Sequence, residues 1–182
     1  PKLRVRTGDV GGGFGMKIFV HPEYPMVVWA SRALKRTVKW IPDRQEAFQS
    51  DIQGRDHVSI AEMALDKDAK FIGCRITTYA ALGAYLNHFA PFIPTLAGSS
   101  MLVGLYQTPA AYVNVKGVMT NTVPTDAYRG AGRPEATYVV ERLVEQAARE
   151  TGMDPAEFRK KNFIRSFPHQ TPVIMAYDVG DY

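Results

Sequence analysis

Two glycine-rich stretches carry the residues whose types and spacing could do chemistry. The first reads TGDVGGGFGMK and places Gly11, Gly12, Gly13 and Gly15 within five consecutive positions, followed closely by Lys17. Glycine loses more backbone entropy on folding than any other residue. Such a run therefore indicates either a turn with positive φ or a backbone that a ligand approaches closely.

The second stretch reads TDAYRGAGRPEATYVVERL and leads from a predicted strand into a predicted helix. Gly130 and Gly132 interrupt the chain just before Pro134, a residue that helices tolerate in their first turn. The first amides of a helix have no internal partners, and the helix dipole is positive there. Because Arg129 and Arg133 flank this junction and guanidinium groups can bind oxyanions bidentately, it is a candidate anion seat.

Each stretch also has a purely structural interpretation, as a turn with a charged flank at the surface. The first is not a phosphate-binding P-loop, because Met16 separates Gly15 from Lys17 and no Ser or Thr follows the lysine. The spacing also fails the dinucleotide fingerprint. The four histidines show no metal-ligand spacing, so we predict no metal ligands among them: His21, His57, His88 and His169.

Composition places the chain among globular proteins of one domain. It has 182 residues, of which 46% are hydrophobic and 22% charged, with a formal net charge of +4. No run of Lys and Arg exceeds three residues, and no apolar stretch approaches the ~20 residues that span a bilayer. We therefore expect no nucleic-acid partner and no membrane span. The single cysteine, Cys74, fits a reducing, cytoplasmic location and a place in the core.

Hydrophobic periodicity predicts an α+β fold, with helices in one layer on an antiparallel or mixed sheet. We expect residues 1–182 to form a single domain. Strands are predicted at 2–7, at 37–40, on both sides of an Asp66-Lys67-Asp68 turn, and at 112–122. Helices are predicted at 23–34, 43–49 and 134–150, with a last short helix opening at a capping box, Asp154 to Glu157. Segments 87–107 and 166–182 show no clear element.

Together, and about 115 residues apart, GGGFGMK and DAYRGAGRPEA resemble the molybdopterin-binding subunit of the molybdenum hydroxylases. This superfamily includes xanthine dehydrogenase, aldehyde oxidase and aerobic carbon monoxide dehydrogenase. The resemblance implies that the chain is a fragment of a larger subunit and part of a molybdenum-cofactor-binding domain. It also implies two sets of cofactor-binding residues, a first loop of Gly12, Gly13, Phe14 and Gly15 and a second loop of Arg129, Gly130 and Ala131 that offers backbone N–H groups. Both loops would then lie close together.

The resemblance also implies a reaction, cofactors and partners. The reaction would be oxidation of an aldehyde or an N-heterocycle, with water as the oxygen source. The cofactor would be molybdopterin with molybdenum, carried as a cytosine dinucleotide. Iron–sulfur clusters need several cysteines, so clusters and FAD would lie on partner subunits or other regions. The family's glutamate base has no counterpart here; we therefore expect no catalytic residue in this chain, and no activity from the chain alone.

Departures from the family pattern narrow the substrate. Carbon monoxide dehydrogenases place on the second loop a cysteine that joins molybdenum to copper, and this sequence has no thiol there. Xanthine dehydrogenases carry a glutamate and a phenylalanine where this sequence has Ile18 and Ala131, and no arginine lies between Arg75 and Arg129. Carbon monoxide and purines are therefore not expected as substrates. The competing hypotheses are a non-catalytic nucleotide- or anion-binding module that uses the same two loops, and a purely structural domain.

Overall fold

The computed structural model describes residues 2–182, and it confirms the predicted α+β fold, with the longest helix packed on a mixed sheet. The strands are β1 (His57–Leu65), β2 (Phe71–Gly83) and β3 (Ala111–Met119), with a small separate ladder of β4 (His169–Gln170) and β5 (Ala176–Tyr177). The helices are α1 (Glu23–Leu34), α2 (Arg44–Ser50), α3 (Arg133–Thr151) and α4 (Pro155–Asn162).

The three-stranded sheet has the order β1-β2-β3. Strands β1 and β2 form the predicted antiparallel hairpin, whose turn is closed by the Asp66 carboxylate accepting the N–H groups of Asp68 and Lys70, both at 2.8 Å. Strand β3 pairs with β2 in parallel after a long crossover. That crossover, predicted as irregular, contains a π-helical turn at Ile93–Gly98 and a 3₁₀ turn at Ser99–Met101.

The core lies between the sheet and helix α3. One side of α3 presents Ala136, Val140, Val144 and Ala148, spaced four residues apart and all buried. They pack with Ile76 of the sheet and with several aromatic side chains from the hairpin, the crossover and α4: Phe71, Tyr106 and Phe158. Burying one large apolar side chain contributes roughly 1.5–3 kcal/mol, so this contact stabilises the junction at which α3 begins.

Helix α4 is fixed at both ends by side chains. Asp154 accepts the N–H groups of Ala156 and Glu157, which confirms the predicted N-cap, although the Glu157 carboxylate binds Lys160 instead of closing a capping box. At the other end, the buried Asn162 accepts the N–H of Phe71 and donates to two carbonyl oxygens, those of Ala69 and Phe158. Asn162 thereby ties the hairpin turn to the helices.

Two predicted strands were wrong. The segments 2–7 and 37–40 contain no strand, and the side chains of Leu3 and Val5 are 66% and 80% exposed. Alternating polarity favours a strand only when a neighbouring strand satisfies its backbone groups, and neither segment pairs with one among residues 2–182. Helix α1 forms as predicted, but none of its residues is buried. No helix in the described part of the chain is both long and apolar enough to cross a membrane.

Candidate cofactor-binding site

The two glycine loops touch each other. The backbone N–H of Arg129 donates to the carbonyl oxygen of Phe14 at 2.9 Å. The Arg129 guanidinium carbon lies 5.7 Å from the centroid of the Phe14 ring. This confirms the prediction that loops so far apart in the sequence meet in the fold.

Gly15 lies at the point of contact, and the protein itself requires a glycine there. Its φ is +92°, and a Cβ at this position would lie 2.4 Å from the carbonyl oxygen of Ala127 and 3.2 Å from the Cα of Tyr128. At Gly12 a Cβ would lie 2.7 Å from the Phe14 ring. Close approach of a ligand is therefore not needed to explain either glycine.

Gly13 is different, because no contact among residues 2–182 demands a glycine there. Its backbone lies outside the left-handed region, and a Cβ would meet only the Cβ of Lys17, at an ordinary 3.8 Å. The neighbouring Phe14 has φ +52°, which is costly for a bulky residue, and its side chain is 53% exposed. The open side of the first loop thus presents the Gly13 backbone beside a strained, exposed aromatic residue.

The second loop leaves one of its three predicted N–H donors available. The N–H of Arg129 is bonded to Phe14, and that of Ala131 donates to the carbonyl oxygen of Tyr128 at 2.8 Å. The N–H of Gly130 has no acceptor among residues 2–182, whereas its carbonyl accepts the N–H of Arg133 at 3.1 Å. Of the three second-loop residues, Gly130 is therefore the one whose amide can donate to a ligand.

A buried carboxylate fixes the segment that directly precedes the second loop. Asp126 is only 3% exposed, and its two oxygens accept the N–H groups of Phe89 at 2.8 Å and Ala127 at 2.6 Å. The preceding Thr125 hydroxyl donates to the carbonyl of Ala81 at 2.5 Å. These bonds fix the Ala127 carbonyl against Gly15. No sequence pattern singled out Asp126, because an acidic residue a few positions before a glycine is typical of any turn.

The side chain of Arg55 contacts residues on both sides of the second loop. Its Nη2 donates to the carbonyl oxygen of Arg129, its guanidinium carbon lies 4.6 Å from the centroid of the Tyr128 ring, and its Nε lies 3.9 Å from Oε2 of Glu135. Arg55 was not predicted as a site residue either, because no local sequence pattern marks an arginine between α2 and β1.

Lys17, which closes the first loop, is already paired. Its Nζ lies 2.5 Å from Oδ2 of Asp51, and the buried His21 lies against the same carboxylate, with Nδ1 3.9 Å from Oδ1. The other ring nitrogen of His21 lies 3.2 Å from the carbonyl oxygen of Met16. A bound anion at the first loop would therefore compete with Asp51 for the Lys17 charge.

Two cavities adjoin the loops, and Arg55 forms part of the wall of both. One of about 830 Å³ lies between β1, the π-helical turn and α3, and includes His57, Glu135 and Arg142 in its lining. Burial lowers the pKa of His57, although the nearby Glu135 and Asp56 carboxylates oppose this shift. The other, of about 640 Å³, lies between the first loop and α2.

The lone thiol lies away from this site. Cys74 is on β2, opposite Met63 of β1, and burial raises its pKa. Among the described residues, no three His, Cys, Asp or Glu side chains are grouped so that they could hold a metal ion.

Comparison with known proteins identifies the family. A family model described as the molybdopterin cofactor-binding domain matches residues 1–163. The carbon monoxide dehydrogenase large chain of Hydrogenophaga pseudoflava is 40% identical over an alignment that covers 100% of this chain and 23% of that protein. This chain therefore spans less than a quarter of the length of that relative.

Comparison with solved structures identifies the same family. Quinoline 2-oxidoreductase from Pseudomonas putida 86 superimposes with a TM-score of 0.89 at 34% identity, over 96% of this chain and 22% of that chain. A Cu,Mo-CO dehydrogenase does so with a TM-score of 0.86 at 35% identity, over 97% and 23%. The family match extends over most of the chain and agrees with the resemblance that the two loops indicated. The chain therefore belongs to the molybdopterin cofactor-binding domain family.

Proposed function

We propose that this chain is the cofactor-binding portion of a larger molybdopterin subunit, in a molybdenum hydroxylase that oxidises an aldehyde or an N-heterocycle with water as the oxygen source. The observation that carries the proposal is the direct contact between the loops, the Arg129 N–H to Phe14 carbonyl bond of 2.9 Å. That bond places two candidate ligand-binding backbones side by side, so that one small ligand can contact both.

The residues at this contact fit an anionic cofactor such as molybdopterin. Gly13 has open space where a side chain would be, and the Gly130 N–H has no acceptor in the described chain. The Arg129 side chain, stacked on the Phe14 ring, adds a positive charge that favours phosphate. When bound, the cofactor would supply the redox chemistry, and the protein would supply binding, orientation and electrostatics.

In this proposal the seven residues of the two loops have different roles in binding the cofactor. Gly12 and Gly15 shape the first loop, so that Gly13 and Phe14 face the ligand. Arg129 joins the loops through its backbone, and Gly130 donates its N–H. Ala131 leaves space beside the metal because its side chain is a single methyl group. The catalytic base and the remaining redox centres would lie outside these residues.

The form of the cofactor and the partners belong to the same proposal. We expect a cytosine dinucleotide form of molybdopterin, with iron–sulfur and flavin subunits or domains as partners, together with the rest of the molybdopterin subunit. The sequence contains one cysteine, too few to ligate an iron–sulfur cluster. The relatives support an assembly of several chains, because their names include a "large chain" and a "subunit gamma".

The lone thiol favours organic substrates over carbon monoxide. One of the similar structures is described as a copper and molybdenum enzyme, and another acts, by its name, on quinoline. A copper site at the second loop would need a soft ligand such as a thiolate, and Cys74 lies in β2, with a pKa raised by burial. An aldehyde or an N-heterocycle is therefore the proposed substrate class.

Analysis of the full-length protein purified from its host would test the proposal. We expect near-stoichiometric molybdenum by mass spectrometry, cytidine monophosphate after acid hydrolysis, and turnover with members of an aldehyde and N-heterocycle panel. The chain of 182 residues alone should show no turnover. A full-length protein with a bound nucleotide but no molybdenum would contradict the proposal and favour the non-catalytic binding module.

A further inference from the structure

We propose that Arg55 is a positioning residue: it aims the one available N–H of the second loop, that of Gly130, at the cofactor. This inference rests on the proposed function. Arg55 lies outside both glycine loops, in the link between α2 and β1. Its role follows from the peptide unit that its side chain holds.

The segment between α2 and β1 that contains Arg55 is hydrogen-bonded to the residues that precede the second loop. Gln53 donates its N–H to the carbonyl of Pro124 at 3.1 Å, and its own carbonyl accepts the N–H of Asp126 at 2.9 Å. A Cβ on Gly54 would lie 3.0 Å from the Cβ of Tyr128. These contacts restrain the backbone position of Arg55, from which its side chain projects.

The backbone at Arg55 is in a conformation that arginine does not favour. Its φ is +66°, in the left-handed region that glycine and asparagine adopt more readily. Residues held in such conformations cluster at functional sites, where the surrounding structure over-determines them. An arginine here is therefore best explained by what its side chain does.

The side chain joins the start of the second loop to its end. It stacks over the Tyr128 ring, donates to the Arg129 carbonyl, and lies beside Glu135 in the first turn of α3. Between these contacts lie Gly130 and Gly132, both with positive φ, where the loop would otherwise move most easily. Glu135 is 11% exposed at its side chain, and its Oε2 has no hydrogen-bond partner among residues 2–182, so Arg55 is the charge that compensates it.

Peptide geometry connects this contact to the ligand. The carbonyl of Arg129 and the N–H of Gly130 belong to one planar trans peptide unit, so they point in opposite directions. Because Arg55 holds the carbonyl, the N–H of Gly130 is directed away from Arg55, to the side on which it has no acceptor in the described chain. Glycine at position 130 would allow this peptide to flip, and Arg55 opposes the flip.

The experiment compares Arg55→Met and Arg55→Lys in the full-length protein with two controls. Arg142→Met removes an exposed arginine that lines the same 830 Å³ cavity. Val144→Ala shortens a fully buried core side chain and serves as the control for an unspecific loss of stability. For each variant we would measure molybdenum content, the Mo(V) electron paramagnetic resonance spectrum, thermal stability, and hydrogen exchange of residues 125–135 in the cofactor-free protein.

We expect Arg55→Met to lower molybdenum content about tenfold, since it removes a charge-assisted hydrogen bond at the site, and to shift the spectrum of what remains. Arg55→Lys should recover part of the loading, because an ammonium group can still donate to one carbonyl. Amides 125–135 should exchange faster in Arg55→Met than in Arg142→Met. The inference is overturned if Arg55→Met loses no more molybdenum than Val144→Ala and keeps the wild-type spectrum.

The two proposals can fail separately. A wild-type protein that contains no molybdenum would refute the proposed function. Hydrogen exchange would still test Arg55 in that protein, because it needs no cofactor. Equal exchange of residues 125–135 in Arg55→Met, in Arg142→Met and in the wild type would show that Arg55 does not hold the loop.

Discussion

Replacing Gly13 or Gly15 with alanine separates a glycine that the fold requires from one that only a ligand would require. Gly15→Ala forces a Cβ to within 2.4 Å of the Ala127 carbonyl oxygen at a φ of +92°. The unfavourable conformation costs about 1–3 kcal/mol, and relief of the clash adds to it. At about 2–4 °C per kcal/mol, the conformational cost alone should lower the melting temperature of the 182-residue chain by roughly 2–12 °C, and the clash should lower it further.

Gly13→Ala should not destabilise the fold. Its Cβ meets nothing closer than 3.8 Å, and its φ is not in the left-handed region. Alanine then reduces the entropy of the unfolded chain and contributes about 0.4–1 kcal/mol of stability, or roughly 1–4 °C. In the full-length enzyme, however, the added methyl group would occupy the space that the cofactor is proposed to fill, so molybdenum content should fall sharply.

The assay pairs two measurements for each variant. Circular dichroism melting of the 182-residue chain gives stability, and metal analysis of the full-length protein gives cofactor loading. A Gly13→Ala protein that is at least as stable as the wild type and keeps the wild-type molybdenum content would refute the placement of the first loop against the cofactor. A Gly15→Ala protein that melts like the wild type would refute the steric argument for the contact between the loops.

Three further outcomes can be measured. Asn162→Ala should lower the free energy of unfolding by about 1–3 kcal/mol in urea titrations, because it leaves the buried N–H of Phe71 without its acceptor. Burial lowers the pKa of His57 below its ordinary 6.5, so just below that pH the unfolded chain binds more protons than the folded chain. The free energy of unfolding should therefore decrease as the pH falls below about 6.5. This decrease should be smaller in His57→Gln. Ala131→Phe should change substrate preference in steady-state kinetics while molybdenum content is retained; unchanged kinetics with the native substrate would place Ala131 away from the reacting centre.

Helix α3 and the hairpin could be predicted because local signals determine them. A four-residue apolar spacing, Pro134 near the start and Gly152 after the end mark the helix, and the structure places its bounds within one residue of the prediction. The hairpin has a polar turn between two alternating segments. In both elements the hydrogen bonds and the buried face are formed by residues close in sequence.

The wrong strands and the missed site residues share one physical cause, which is dependence on distant partners. A strand at 2–7 would need a neighbour that residues 2–182 do not supply. Arg55 acts on a carbonyl 74 residues away, and Asp126 binds an N–H 37 residues away. Only the family resemblance predicted that the two loops meet, because no local pattern records a contact over such a distance.

The bond between Phe14 and Arg129 has a consequence for how the cofactor would enter. Closing a loop of more than a hundred residues carries an entropic cost, which here is met while the chain folds and not when a ligand arrives. A seat assembled in advance loses little freedom on binding, so more of the contact energy remains as affinity. Insertion of the cofactor would then resemble the docking of a rigid ligand into a finished receptor, and it could occur late, after the polypeptide has acquired its native form.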